Sequence, residues 1–578
     1  MENSRTYKPE KASFKDYLRI FKGIKLPWLF IILIFAATIA TTVISLFVTY
    51  FTGDAVDASG DVPAGQLVSF ALGYIALAAA SAGTSIFSGV ASERINLGLR
   101  KKLWSRIIYT KQSCYDKDGG ESLVSRVTTD CDYASKLLTV IVSLCSVIVS
   151  LAIYIRQMYA LNLKLANYIM ILVPFSILIG WVYAKLKFLI AQKTQAMLSR
   201  STTYLVERTN SLSFIKTSGT QQEEIQLGKE NFRNQYSMQI KTGLMNALYT
   251  SLQTLYNIVS ILIPFVVGAG LVSAGILTAG EVVTFYGISG TVGVYFTNVI
   301  DEVGTIRQAN GALARVIKTL ALPFENVDEG ISMDEPDNDI LFEDVTFSYG
   351  DKNTLCNVTC TVPKHKVTAV IGSNGSGKTT MFRLIERLYE PDSGSIKFGD
   401  KDISGFSLNA WRRTFAVVAQ DSPLLEGTVR ENICYGCERD VSEEELIKAA
   451  KQAQIYDYIC TLPDGFESKV ASGGANFSGG QRQCLAIARA IMNSPDYLLL
   501  DEVTSSLDAK SEKAVMEALE ELMKDRTTIV IAHSLSTIKN ADYVIVLKDG
   551  CVESCGTPES ILEMTDNYLS KIMNRKHN

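Results

Sequence analysis

The chain has 578 residues, 47% of them hydrophobic, and a formal net charge of −4. That length accommodates three or four ordinary domains, and a near-neutral balance excludes the basic footprint that nucleic-acid binding requires, so no nucleic acid is expected as a partner. The apolar residues are concentrated in the first 300 positions, which excludes an ordinary soluble composition there.

Ahead of the first apolar run, Phe14, Tyr17, Leu18 and Phe21 recur at helical spacing with Lys15, Arg19 and Lys22 between them. This pattern suits an interfacial helix within residues 1–25, and equally a plain buried helix. Neither a cleavable signal nor a transit peptide fits, because Glu2, Glu10 and Asp16 precede a run too long for a signal core.

No Asp, Glu, Lys or Arg occurs from Leu26 to Gly53 or from Val62 to Ser92. Further uncharged runs cover Leu137 to Ile155, Leu165 to Ala184, Thr242 to Gly280 and Val282 to Ile300. A helix needs about 20 apolar residues to cross a bilayer core, so the pattern predicts six membrane spans within residues 26–320. The long Thr242 to Gly280 run places a fifth span over Met245 to Gly270, followed by a short turn.

Seven Lys or Arg precede Leu26, nine lie in Glu93 to Lys136 and nine in Lys185 to Lys241, while the intervening loops carry two at most. The positive-inside rule therefore puts the N-terminus and everything after Ile300 in the cytosol. The two inward loops, 44 and 57 residues long, carry helical patterning and continue the spans. Each has an apolar-plus-turn segment near its middle: Tyr115 to Asp130 and Asn210 to Gly219.

Polarity changes after Asp301, and the acidic, Pro-containing stretch Glu325 to Asp339 lies in a linker over 321–339. Beyond it, "TAVIG", "FAVVAQ", "YLLLDE" and "TIVIAHS" are short continuous apolar runs alternating with helical patterns. Such runs are strands of a parallel sheet buried on both faces, so 340–578 is an α/β domain. Eleven cysteines and three histidines are present, but only Cys434 and Cys437 have metal-ligand spacing and no second pair matches it. Cys356/Cys360 and Cys551/Cys555, each four apart, are small thiols of a cytosolic core.

The chemistry lies in this domain. Gly372, Ser373, Asn374, Gly375, Ser376, Gly377, Lys378 and Thr379 form G-x-x-x-x-G-K-[ST] between a strand and a helix, with Thr380 following. Backbone N–H groups of such a loop turn inward around phosphate, the helix N-terminus adds partial positive charge, and Lys378 reaches the β- and γ-phosphates. Thr379 is the expected Mg²⁺ ligand. Gln420, Asp501, Glu502 and His533 each end an apolar strand run, and ligands bind outside the carboxyl ends of such strands. Asp501 suits Mg²⁺, Gln420 could bridge metal and water, Glu502 suits polarising the attacking water, and His533 can donate to the γ-phosphate. Tyr349 offers an aromatic face for adenine.

A second glycine-rich turn opens the helical run "NFSGGQRQCLAIARA" from Asn476 to Ala490. In order and spacing, Tyr349, "GSNGSGKTT", Gln420, "FSGGQRQ", "YLLLDEVTSSLD" and His533 resemble the A-loop, Walker A, Q-loop, signature, Walker B with D-loop, and H-loop of the ATP-binding cassette family. Six spans ahead of one cassette resemble an exporter half-transporter. The resemblance implies an α-helical membrane domain plus an α/β P-loop domain, ATP and Mg²⁺ as ligands, and ATP hydrolysis coupled to transport in a cell membrane.

It further implies that two cassettes pack head to tail. Ser478, Gly479, Gly480 and Gln481 would then meet the γ-phosphate held by a second copy of the chain or by a homologous half-transporter, with Asp508 in the D-loop. Tyr115 to Glu121 and Asn210 to Thr217 resemble coupling helices. Two positions depart from the family pattern: Phe477 stands where Leu is common, and Ser472 where exporters usually carry a Glu that contacts the other chain's membrane loop. "SGGANFSGGQ" is similar to cassettes of peptide exporters.

Possible cavity residues are Gln253, Tyr256 and Asn257 in the fifth span and Tyr286, Tyr295, Phe296 and Asn298 in the sixth. Spans without charge favour an apolar, amphipathic or peptide-like cargo. A lipid flippase and an ATP-gated channel or sensor are the alternatives.

Overall fold

Pro27 cannot donate a backbone hydrogen bond and suits a helix boundary; helix α1 (Trp28–Asp57) starts directly after it. The computed structural model describes residues 20, 23–58, 63–333, 337–350, 352–501, 509–532 and 535–563. The amphipathic residues Phe14, Tyr17, Leu18 and Phe21 lie outside these. Five more long helices follow α1: α2 (Ala64–Ile108), α3 (Cys131–Leu161), α4 (Leu163–Asn210), α5 (Gln221–Ser273) and α6 (Ala279–Leu320).

Of these six, α1 to α5 contain stretches long and apolar enough to cross a bilayer by length and composition. Helix α6 falls short on apolarity: its uncharged stretch 282–300 is diluted by Gly287, Ser289, Gly290, Thr291, Gly293 and Asn298. Small and polar residues of this kind are what helix-helix contacts in membranes use. A Cβ on Gly280 of α6 would lie 2.1 Å from the Gly53 carbonyl oxygen of α1, so only glycine permits that approach. Asp57, one turn on, accepts from the Thr278 hydroxyl at 2.5 Å and the Gly280 N–H at 2.7 Å, tying α1 to the α6 N-terminus.

Each long loop carries short helices near its middle. Gln112–Asp118 and Gly120–Ser125 are separated at Gly119, whose φ of 74° breaks the helix, so the segment Tyr115 to Glu121 is two elements. The second loop has Leu212–Thr217. A half-exposed Arg315 on α6 makes a bidentate pair with the buried Asp130 carboxylate, at 2.8 and 2.5 Å, which fixes the start of α3 against α6.

The chain divides into two units, one covering 1–108 and 119–322, the other 109–118 and 323–578. In the second, Ile340–Tyr349 (β1), Lys352–Val362 (β2), Val367–Gly372 (β3), Lys378–Ile385 (α7), Ser393–Phe398 (β4) and Phe415–Val418 (β5) come first. Gly479–Asn493 (α8), Tyr497–Asp501 (β6), Ala509–Met523 (α9), Thr527–Ile531 (β7), Tyr543–Lys548 (β8) and Cys551–Gly556 (β9) follow. Antiparallel β2-β1-β4 form one sheet, and the second runs β9-β8-β3-β7-β6-β5, parallel from β8 to β5.

Side chains alternate across that second sheet and sort its two cores. Ala369, Ile371, Leu498, Leu500 and Val546 join Leu485 and Ile487 of α8 on one face. Val370, Leu499, Ile531 and Leu547 join Met381, Leu384 and Ile385 of α7 on the other, together with the antiparallel sheet. Each fully buried Leu or Ile contributes about 1.5–3 kcal/mol, so α7 and α8 are held firmly to opposite faces.

Candidate functional site

The glycine-rich loop follows β3 and turns into α7 at Gly377, whose φ of 103° is left-handed. A Cβ there would lie 2.5 Å from Leu355 Cδ2, and one on Gly372 would lie 2.2 Å from the Leu547 carbonyl oxygen and 2.5 Å from Ser376 Oγ. Only glycine therefore fits at these two positions, where the loop packs against β2 and β8. Asn374 and Gly375 are exposed at its tip, and Ser373 is half-buried. Lys378, only 6% exposed, donates from Nζ to the carbonyls of Gly372 at 3.0 Å and Ser373 at 3.2 Å. Its ammonium is thus held over the loop. Ser376 Oγ is buried with no hydrogen-bond partner in the protein, a donor available to phosphate. Thr379 is exposed and Thr380 buried on the first turn of α7. These features fit a nucleotide's phosphates.

Asp501 ends β6 opposite Ile531 of β7, and Ile531 in turn lies opposite Val370 of β3. One strand thus separates the end of β6 from the loop after β3, about 10 Å at the usual strand spacing. Gln420 is exposed two residues past β5, on the far side of β6. Glu502, Asp508 and His533 lie outside the described residues.

Glu386, just after α7, is a group that sequence reasoning missed. Burial pushes its carboxyl up to about 7, with the nearby Asp501 charge adding to the rise and Arg383 and Arg412 opposing it. No sequence pattern marks it, because its burial arises from the fold.

Tyr349 is the last residue of β1, one-third exposed. Its hydroxyl accepts from Arg383 of α7 at 3.3 Å, and its ring meets Tyr389 edge-on at 5.2 Å. Phe347 meets the same ring edge-on at 4.9 Å, and the Arg383 guanidinium lies over it, 6.0 Å from its centroid. The linker residue Glu325 pairs bidentately with Arg412 at 2.7 and 2.8 Å.

Ser478 is the N-cap of the 15-residue helix α8. Its hydroxyl accepts from the Gln481 N–H at 3.3 Å, while Gln481 Oε1 accepts from the Ser478 N–H at 2.8 Å, a capping box. Ser478 and Gly479 are exposed and Gly480 buried. Phe477 is buried edge-on against Tyr458 at 5.9 Å, and Ser472 is exposed in a 3₁₀ turn. The loop of α7 and the turn of α8 thus belong to helices on opposite faces of one sheet.

The family model for the ABC transporter matches residues 355–505, and that for the ABC transporter transmembrane region matches 29–295. The chain is 29% identical over 577 residues to the "Multidrug resistance ABC transporter ATP-binding and permease protein" of Lactococcus lactis subsp. lactis, covering 97% of this chain and 96% of that one. It is 32% identical over 485 residues to the "ATP-dependent lipid A-core flippase" of Desulfotalea psychrophila, covering 81% and 82%. Against the "ABC transporter B family member 1" of Dictyostelium discoideum, at 29%, it covers 84% of its own length and 54% of that protein. With a membrane region and one nucleotide-binding region in a single chain, the protein is a half-transporter of the ABC transporter family.

Proposed function

We propose that two copies of this chain form an ATP-driven exporter of amphipathic cargo in the cell membrane, with the cassettes in the cytosol. The observation that carries the reading is the placement of the P-loop helix and the signature helix on opposite faces of one sheet. The two helices that open at these cradles pack on opposite faces of that sheet, and in this reading each phosphate cluster is clamped by Gly372 to Thr380 of one copy and by Ser478, Gly479, Gly480 and Gln481 of its mate.

In this reading Lys378 and Ser376 hold the β- and γ-phosphates, and Tyr349 stacks on the base. Thr379, Gln420 and Asp501 hold Mg²⁺, which offsets phosphate charge when bound. Glu502 orients the attacking water, His533 donates to the γ-phosphate, and Asp508 lies at the seam between copies. Loss of the γ-phosphate removes the Ser478 contact and lets the pair open, which alternates access across the membrane.

Amphipathic cargo agrees with one relative named for multidrug resistance and another for flipping a lipid. The test is reconstitution of the purified chain in liposomes: vanadate-sensitive ATP hydrolysis together with ATP-dependent accumulation of a fluorescent amphiphile supports export. Flux that persists without hydrolysis would mark a channel instead.

A further inference from the structure

The two strands that flank the glycine-rich loop each lead to a cysteine. On β2, Leu355 stands against Gly377, its Cδ2 2.5 Å from where a Cβ would be, and Cys356 is next in the chain. On β8, Leu547 pairs with Gly372 of the loop, and Cys551 opens β9 after the two-residue turn Asp549–Gly550. Both turn residues have positive φ, 48° and 85°, as a tight hairpin requires.

That turn is fastened to β2. The Cys356 N–H donates to the Gly550 carbonyl at 2.8 Å, and a Cβ on Gly550 would lie 2.6 Å from the Thr354 carbonyl oxygen. The Cys356 and Cys551 thiols are hydrogen-bonded to each other, although β2 and β9 belong to different sheets. Cys551 is exposed and Cys356 half-buried, so a solute meets Cys551 first. Cys551 and Cys555 are thus surface thiols, contrary to the core placement that the sequence led us to expect. Cys555 lies near Cys360, but burial first, and then Cys555, pushes the Cys360 thiol up to about 12, which leaves it inert.

We infer that Cys356 and Cys551 are a reversible redox modification site, whose disulfide ties together the two strands flanking the glycine-rich loop and weakens ATP binding. The oxidant is a small-molecule disulfide such as oxidised glutathione. The Cys551 thiolate attacks one of its sulfurs and expels a thiolate; the Cys356 thiolate then attacks the Cys551 sulfur of the mixed disulfide and expels the second. The two cysteine protons end on the two released thiols, so the protein loses two electrons and the small disulfide gains them. Desolvation, then Cys356 and Asp549, push the Cys551 thiol up, so exchange is slow and registers sustained oxidation. Bond formation draws the sulfurs closer than a hydrogen bond does. The packing at Gly372 and Gly377 admits no added methyl, so movement of either strand is passed to the loop. The cross-link stands on the geometry of β2 and β9 alone, and only its effect on ATP rests on the phosphate reading of the loop.

The experiment equilibrates the full chain in nanodiscs with oxidised glutathione, maps disulfides by peptide mass spectrometry, and measures ATP affinity before and after. A Cys356–Cys551 cross-link is expected, with affinity about three- to tenfold weaker and restored by dithiothreitol. Cys551→Ser abolishes both effects, while Cys555→Ser keeps both. By linkage, saturating ATP should disfavour the disulfide by the same factor. Absence of the cross-link under excess oxidised glutathione, or a mixed disulfide at Cys551 that Cys356 never resolves, would overturn the site. A cross-link that leaves ATP affinity within about twofold would overturn the regulation. Should Cys551→Ser not fold, reversal by dithiothreitol in the unaltered chain still decides. A reduced chain that binds no ATP would count against the phosphate reading of the loop, while the mapped cross-link would still stand.

Discussion

The Tyr389 hydroxyl donates to the Asp116 carboxylate, joining the first inner-loop segment to the cassette within one unit. Lys111 reinforces this by pairing with Glu390 at 2.9 Å, and Tyr389 in turn touches Tyr349 edge-on. Tyr349 and the loop therefore share a neighbour. Tyr349→Ala should raise the ATP KM about five- to tenfold, the loss of one base–aromatic stack. Tyr389→Phe removes only the hydroxyl, so it should leave the KM within about twofold yet reduce stimulation of hydrolysis by cargo. An equal KM rise in both variants would show that Tyr389 acts through packing alone.

Phe214, in the short helix Leu212–Thr217, is 72% exposed, unusual for a large aromatic side chain. If that helix docks on the cassette of the second copy, Phe214→Ala should lower cargo-stimulated hydrolysis several-fold and leave ATP affinity unchanged. Full stimulation and transport in the variant would reduce the segment to a solvated elbow.

Hydrolysis and binding should separate cleanly by residue. Glu502→Gln is expected to bind ATP but turn it over about 10²–10⁴ times more slowly, the usual contribution of a positioned general base. Lys378→Ala instead loses nucleotide binding, since its ammonium is the charge held over the cradle. Near-normal turnover in the first, or tight ATP binding in the second, would reverse these assignments.

The cassette was legible because phosphate binding imposes local requirements: a glycine where φ is left-handed, a lysine after it, a serine to cap a helix. Gly377 and Ser478 both meet such requirements within a few residues. What could not be read were pairings over long separations. Ser143 and Glu302, Asp130 and Arg315, and Glu325 and Arg412 meet only through tertiary packing, which no local periodicity encodes. The break at Gly119 was hidden for another reason, because a single positive φ leaves the helical pattern on either side intact.

Glu386 offers a pH test. Its folded carboxyl titrates near 7, above the ordinary glutamate value, so between those values the folded chain binds more protons than the unfolded one. Stability from this group is present at low pH and lost as pH rises through about 7. Glu386→Gln, which stays neutral, should therefore raise the unfolding temperature at pH 8 and change it little at pH 5. The check is thermal unfolding of the full chain in nanodiscs at both pH values; a larger gain at pH 5 would contradict the assigned burial effect.

Whether the two cradles serve one nucleotide between chains is decided by mixing lesions. Differently tagged chains, one carrying Lys378→Ala and the other Ser478→Ala, are combined and the mixed pairs purified through both tags. With sites formed between chains, one site collects both lesions, and the other, built from the second chain's P-loop and the first chain's signature, is untouched. With sites formed within chains, both are damaged. The opposite-face placement of α7 and α8 favours the first arrangement. Mixed pairs should then trap about one nucleotide each with Mg²⁺ and vanadate, as one surviving transition-state site requires, while either mutant paired with itself traps almost none. Trapping is a better readout than turnover, because a pair that needs two working sites stalls with one intact. Mixed pairs that trap no more than the self-paired mutants would mean that Ser478 serves a phosphate on its own chain.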